Sequence, residues 1–318
     1  MKRLFTLALA IAVVGSITVD AQRRGRLLRP SVNMVTLTYQ GMTRRYLLHV
    51  PPAPDGALVL AFHGGSESPQ NLEEISGLSA LADRERFIVA YPEGIGKSWA
   101  DGRGTTVADR QGVDDVGFAR SVVADIARSH TVDRTRVYAT GASNGGIFAN
   151  RLGCDAADTF AAIAPVIGTM PSAVALGCHP SAAVAVIGVQ GVADPVVPFD
   201  GGDVGGTLEG EAAGGRVESS RATQELWRSL DGCPGNLTTV LEPPRVQDGT
   251  SVTRRSYDGC RAGAGVVWYE VAGAGHRWYP HESRGLEERM ARRALGVSSQ
   301  NIDASYVIWQ FFAGHPRR

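Results

Sequence analysis

Tyr138-Ala139-Thr140-Gly141-Ala142-Ser143-Asn144-Gly145-Gly146 decides the reading of this chain. It contains Gly-x-Ser-x-Gly, and its flanks matter more than the match. Arg136 to Thr140 reads as a short strand, and Gly146 to Leu152 as the start of a helix. A serine on so sharp a strand-to-helix turn sits in a strained backbone, with its hydroxyl clear of neighbouring side chains. Strand and helix pass close together there, so the positions two before and two after the serine must lack a Cβ. Gly141 and Gly145 meet that need. The stretch therefore predicts a nucleophile elbow, provided that an acid and a histidine follow it in the chain.

Outward from the elbow, strands alternate with helices. Val35–Tyr39 and Arg44–Val50 predict a hairpin turned at Gln40-Gly41. Ala57–Phe62 is a continuous apolar run, as in a strand covered on both faces. One helix is predicted over Asn71–Asp83, then a strand over Phe87–Tyr91. Glu93–Gly112, polar and Gly-rich around Trp99, reads as a surface loop. A helix runs from Asp114 or Asp115 to Ser129. After the elbow, strands are predicted at 160–166, 184–190, 237–241, 252–257 and 266–271, and helices at 217–230 and 302–312. Gly191–Gly215 and Gly273–Ser299 read as long loops. This order predicts an α/β fold: a mostly parallel sheet with helices on both faces and the leading hairpin at one edge.

A serine hydroxyl is a poor nucleophile without a base, and the base needs an orienting acid. In α/β-hydrolases the chain order is serine, acid, histidine. Asp194, in Gly191-Val192-Ala193-Asp194-Pro195, follows a strand and is the expected acid; Asp200 and Asp203 are its rivals. His276, in Gly273-Ala274-Gly275-His276-Arg277-Trp278, is the expected base, ahead of His179, His281 and His315. The oxyanion needs two backbone donors. Asn144 N–H should be one and Gly65 N–H the other, with Gly64 and Ser66 as alternatives. His63 is expected to fix that loop by hydrogen bonding rather than act as a base. Trp99 and Trp278 are candidate walls of the substrate pocket.

Composition narrows the class. Among 318 residues, 32 basic balance 32 acidic side chains, so no charge argument favours nucleic acid or a charged membrane. Met1-Lys2-Arg3, the apolar Leu4–Gly15 and Val19-Asp20-Ala21 form a signal-peptide pattern over residues 1–21, too short for a membrane span. Residues 22–33 are expected as a flexible arm and 34–318 as one catalytic domain, secreted or periplasmic, with no stable membrane anchor. Four cysteines in an exported chain suggest two disulfides. Of three connectivities, Cys154–Cys178 with Cys233–Cys260 closes moderate loops. No pair has metal-ligand spacing, and neither a metal nor an organic cofactor is implied.

Taken together, His63-Gly64-Gly65, Tyr91-Pro92, Asp114-Asp115-Val116-Gly117-Phe118, the elbow stretch, Ala193–Pro198 and Gly275–Trp278 resemble the polyhydroxybutyrate depolymerase family. That family is related to the feruloyl and acetylxylan esterases of carbohydrate esterase family one. The likeness runs from about Val35 to Phe312. It implies a secreted esterase with Ser143 as nucleophile, Asp194 as acid and His276 as base. The chain departs from the family's Gly-Gly-Gly-His-Thr-Trp-Pro-Gly at Ala274, Arg277, Tyr279 and Pro280. It also leaves no room for the substrate-binding domain of many polymer-degrading members. The expected substrate is thus a soluble oligomer or a small ester. A serine peptidase of the same fold, or a binding protein on a hydrolase scaffold, are the alternatives.

Overall fold

Alternating polar and apolar residues make the leading hairpin, β1 (Val32–Tyr39) and β2 (Met42–His49). Gln40 and Gly41 both have positive φ, the conformation a tight two-residue turn requires. The computed structural model describes residues 32–205, 214–281 and 285–318. The expected leader and most of the arm lie outside them. The last two arm residues, Val32 and Asn33, instead begin β1.

The next five strands, β3 (Leu58–Phe62), β4 (Ile88–Pro92), β5 (Val137–Ala142), β6 (Ala162–Val166) and β7 (Ala185–Gly191), are buried at every residue. Their mostly apolar character, interrupted by Thr140 and Gln190, follows from helices on both faces. Two short strands, β8 (Gly202–Asp203) and β9 (Arg216–Val217), pair with each other. β10 (Thr238–Leu241), β11 (Ser251–Tyr257) and β12 (Val266–Ala272) complete the large sheet, in the order β1-β2-β4-β3-β5-β6-β7-β12-β11-β10. The six strands from β4 to β12 run parallel. Antiparallel strands stand at both edges, not at one, because β10, β11 and β12 follow one another as an antiparallel meander.

From β3 the chain moves one way to β4, then returns across to β5 and continues the other way. The strand order therefore reverses between β3 and β5. In open parallel sheets the crevice beyond the carboxyl ends at such a reversal is where ligands bind. The two loops leaving it are His63-Gly64-Gly65 and Ser143 with its helix.

The helices are α1 (Pro69–Ser76), α2 (Leu78–Glu85), α3 (Val107–Arg110), α4 (Asp115–Ser129), α5 (Asn144–Asp155), α6 (Ser172–Ala175), α7 (Ser220–Leu230), α8 (Gly285–Leu295) and α9 (Ala304–Gly314). Alternate residues of β3 divide the core between the two faces. Leu58, Leu60 and Phe62 pack with Phe118 and Val122 of α4, Phe148 of α5 and Trp227 of α7. Val59 and Ala61 pack with Leu72, Leu81 and the α9 residues Ile308 and Phe312.

Three segments differ from expectation. The helix expected over Asn71–Asp83 is two helices, broken at Gly77, whose φ of 61° is left-handed and ends α1. Glu93–Gly112 is not a surface loop: Ser98, Trp99, Asp101, Thr106 and Ala108 are buried, with α3 inside it. The second long loop contains α8, none of whose residues is buried. Both expected disulfides form, Cys154–Cys178 and Cys233–Cys260. Among the described residues no helix is long and apolar enough to cross a membrane.

Candidate active site

Ser143 follows β5 and caps α5 with φ 54° and ψ −120°, a region that non-glycine residues occupy only when their surroundings force it. What forces it is close packing. A Cβ on Gly141 would lie 2.5 Å from a Gly145 backbone atom, and one on Gly145 would lie 2.1 Å from the Phe62 carbonyl oxygen. Only glycine fits at either position, so α5 can press against β3 and β5. The Ser143 N–H donates to the Val166 carbonyl at 3.0 Å, and its carbonyl accepts from Ile147 N–H at 2.8 Å. Both backbone groups are thereby held while the side chain stays partly exposed.

Asp194 leaves β7 in a tight turn. Its Oδ1 accepts the N–H groups of Val196 and Val197 at 2.8 and 2.9 Å. Its Oδ2 accepts Nδ1–H of His276 at 2.8 Å, with Gln190 Nε2 donating at 3.3 Å. A carboxylate only accepts, so the proton of this bond belongs to His276 Nδ1, and Nε2 is the nitrogen that Asp194 does not use. His276 follows β12, the parallel neighbour of β7, which is how two residues 82 apart meet. Leu295 holds the histidine loop through its carbonyl, which accepts His276 N–H at 2.6 Å, and it packs against the cluster containing Ile147 and Val197. Arg277, where the resemblance expects threonine, reaches Glu288 on α8 at 3.0 Å. The structure thus brings Asp194 and His276 together beside the first turn of α5. Ser143 and His276 are not hydrogen-bonded to each other here; such contacts tighten in the substrate complex. Asp200 is exposed, and Asp203 pairs with Arg216 at the surface. His179 is exposed, and His315 bonds the Phe311 carbonyl far from the elbow.

Of the three donors nominated after β3, two are engaged. Gly64 N–H donates to Glu67 Oε2 at 3.0 Å, and Ser66 N–H to the Lys97 carbonyl at 2.9 Å. Gly65 N–H and Asn144 N–H have no partner among the described residues. Asn144 N–H also lies at the amino end of α5, where the helix field favours negative charge.

A serine at a strained elbow, an acid–histidine pair and free backbone donors at the sheet reversal are the parts of a serine hydrolase. Residues 45–205, half of the chain, match the profile of the family described as esterase PHB depolymerase. The chain belongs to that family. A protein of Nocardia uniformis subsp. tsuyamanensis, NocK, provisionally named as an esterase, is 34% identical over 246 residues, spanning 75% of this chain and 71% of that one. Feruloyl esterase B of Piromyces equi is 28% identical over 225 residues, 69% of this chain but only 39% of its own length. An acetyl xylan esterase from Aspergillus awamori superposes with a TM-score of 0.54 at 14% identity, covering 89% of this chain and 99% of that one. The last likeness concerns the fold. This member of the esterase PHB depolymerase family is a carboxylic ester hydrolase with an α/β-hydrolase fold.

Two expectations are corrected within this family member. Trp99 is fully buried, edge-on to Phe62 and stacked on Phe148 at 5.5 Å, so it forms core rather than a pocket wall. Trp278 is 3% exposed and donates its indole N–H to Ser305 at 3.0 Å, turned toward α9. Being two residues past the histidine was no guide to direction, because an irregular loop has no fixed period to aim its side chains. Three polar groups went unforeseen. Gln190 supports Asp194. Glu67 braces Gly64, and burial raises its pKa. The Asn144 side chain reaches across to Trp99 and Asp101.

His63 behaves as expected. Its Nε2 accepts Gly94 N–H at 3.0 Å and its Nδ1 donates to the Gly64 carbonyl at 2.7 Å, a fully satisfied neutral ring. Burial pushes its pKa down to about 4. An unfolded chain takes up this proton below about pH 6.5, the folded one only near 4. Stability contributed by His63 is therefore complete above pH 6.5 and lost as pH falls toward 4, on the order of 3 kcal/mol in all. Urea unfolding of the parent and of His63→Gln should show the parent losing stability more steeply between pH 6.5 and 4.5. Equal slopes would contradict a neutral, buried His63.

Proposed function

We propose that the protein is a secreted serine carboxylesterase that works through an acyl-enzyme on Ser143. Its substrates are hydroxybutyrate-type oligomers or small esters such as acetyl and feruloyl esters. The observation that carries this reading is the Asp194–His276 pair at 2.8 Å, on loops beside a serine at φ 54°.

In this reading Ser143 Oγ attacks the ester carbonyl while His276 Nε2 takes its proton. Asp194 holds the imidazole by Nδ1 and offsets the charge it gains. Asn144 and Gly65 N–H groups bind the developing oxyanion. His276 then protonates the departing alcohol, and later activates the water that frees the acid and restores Ser143. No cofactor takes part. Export is supported by the leader pattern at residues 1–21 and by two disulfides, which persist in oxidising compartments. The acyl groups are suggested by the names of the relatives and by the loop after Asp194. A long acyl chain needs a broad apolar surface near the nucleophile. In the described part of 191–215, Val196, Val197, Phe199 and Val204 are buried, and Val192 alone among its large apolar side chains is exposed.

Accordingly kcat/KM should peak at acetate or butyrate across p-nitrophenyl acetate, butyrate, octanoate and palmitate, and should far exceed that for a matched peptide anilide. Methyl ferulate, acetylated xylan and hydroxybutyrate oligomers would then separate the candidate substrates. A maximum at palmitate, or anilide turnover rivalling butyrate, would overturn the proposal.

A further inference from the structure

We propose that Trp99 and Asp101 are positioning residues that hold the two backbone donors, Gly65 and Asn144, in register for the oxyanion. The inference rests on the esterase reading above and adds the element that sets the geometry of its oxyanion site.

The two donors come from different strands. Gly65 is in the loop after β3, and Asn144 opens the helix after β5, so no local hydrogen bond fixes their separation. The segment between β4 and α4 bridges them. The Trp99 indole N–H donates to the His63 carbonyl at 2.9 Å, two residues before Gly65. The Trp99 backbone N–H donates to Asn144 Oδ1 at 2.8 Å, and Asn144 Nδ2 donates back to the Trp99 carbonyl at 3.3 Å. Asn144 Nδ2 also donates to Asp101 Oδ2 at 2.6 Å. A single residue thus grips the β3 loop with its ring and the helix start with its backbone.

The bridge is itself anchored. Thr106 Oγ1 donates to the Trp99 carbonyl at 2.9 Å. Ala100 N–H donates to Asp115 Oδ2 at 2.8 Å, and Ala100 C=O accepts from Arg151 at 2.6 Å. Asp101 accepts from Arg103 Nε at 2.9 Å. His63, Trp99 and Asp101 are fully buried and Asn144 is 1% exposed, so a lost bond is not replaced by water. Shared side-chain bonding of this kind gives the donors one arrangement, and small misplacements of catalytic groups are costly, roughly 10²-fold for 1 Å.

If these bonds served only to knit the core, breaking them would lower stability and leave turnover by folded molecules unchanged. The test separates the two. Trp99→Phe keeps a ring among Phe62 and Phe148 but removes the indole N–H. Asp101→Asn is isosteric and weakens the hold on Asn144. For each, kcat and KM on p-nitrophenyl butyrate are measured per folded molecule. The Ki of a small alkyl boronic acid, whose serine adduct places an oxygen in the oxyanion site, is measured beside them.

We expect kcat to fall roughly tenfold to a hundredfold in Trp99→Phe and about tenfold in Asp101→Asn. KM should stay within about threefold, and boronate Ki should rise by the same factor as kcat falls. Parental kcat and Ki in either folded variant would overturn the inference, whatever its Tm. Should one variant not fold, the other decides. No ester turnover by the parent would contradict the function itself. Parental turnover abolished by Ser143→Ala but unchanged in these variants would contradict the positioning role alone.

Discussion

Ser143→Ala is expected to abolish ester hydrolysis, lowering kcat by roughly 10⁶, while the protein folds as before. Removing the nucleophile leaves only substrate binding and oxyanion stabilisation, which account for a small residue of such rates. Folding should survive because the elbow is held by backbone, not by the hydroxyl. Ser143 N–H and C=O keep Val166 and Ile147 as partners, and Gly141 and Gly145 still allow the close approach. Alanine at φ 54° carries the same Cβ as serine, so the strain is unchanged. The check is kcat on p-nitrophenyl butyrate beside thermal unfolding. Activity within tenfold of the parent, in folded protein, would remove Ser143 from the mechanism.

Asp194→Asn should follow, with kcat down by about 10⁴ as in the comparable protease substitution. The cause lies in the hydrogen bonds. Oδ1 is spent on two backbone N–H groups, and Oδ2 is the oxygen that receives His276 Nδ1–H. Asparagine can satisfy the backbone donors with its oxygen only by turning its NH₂ toward the histidine. Nδ1 must then accept, the proton moves to Nε2, and the base that Ser143 needs is lost. The charge that stabilises the imidazolium goes with it. Asp200→Asn and Asp203→Asn, at exposed positions, should stay near parental rates. Greater damage from Asp200→Asn than from Asp194→Asn would transfer the role of acid.

The sequence was most informative where chemistry and backbone geometry demand particular residue types. Gly141, Ser143 and Gly145 specify a turn that nothing bulkier can make, and they could be read directly. The parallel strands were legible because strands buried on both faces need unbroken apolar runs. The helix α4 was legible from its cap: Asp114 accepts Gly117 N–H at 2.8 Å. Gly77 was less clear, because one left-handed glycine among helix formers barely disturbs the apolar stripe. The helix α8 buries none of its residues, but Leu286, Met290 and Ala294 recur at helical spacing and were a legible signal within the stretch read as loop. Its charges were a second signal, with Glu287 and Glu288 in the first turn and Arg292 and Arg293 in the last. Glu93–Gly112 misled for the opposite reason. Ser98, Asp101, Arg103 and Thr106 within it are buried, and their partners are close by: Asp101 accepts from Arg103 and Asn144, and Thr106 donates to the Trp99 carbonyl. Composition reports polarity but not the partner that makes polarity tolerable inside. Trp99 shared that fate, since an aromatic in a polar stretch can face solvent, substrate or core with equal ease.

Active-site-directed labelling tests most directly whether Ser143 is the nucleophile of a working esterase. The purified protein is treated with a fluorophosphonate, digested and mapped by mass spectrometry while residual hydrolysis is followed. One label per chain on the peptide containing Ser143, with activity lost in proportion to labelling, is the predicted result. Hydrolysis that persists in fully labelled protein, or inactivation that maps to a residue other than Ser143, would contradict it.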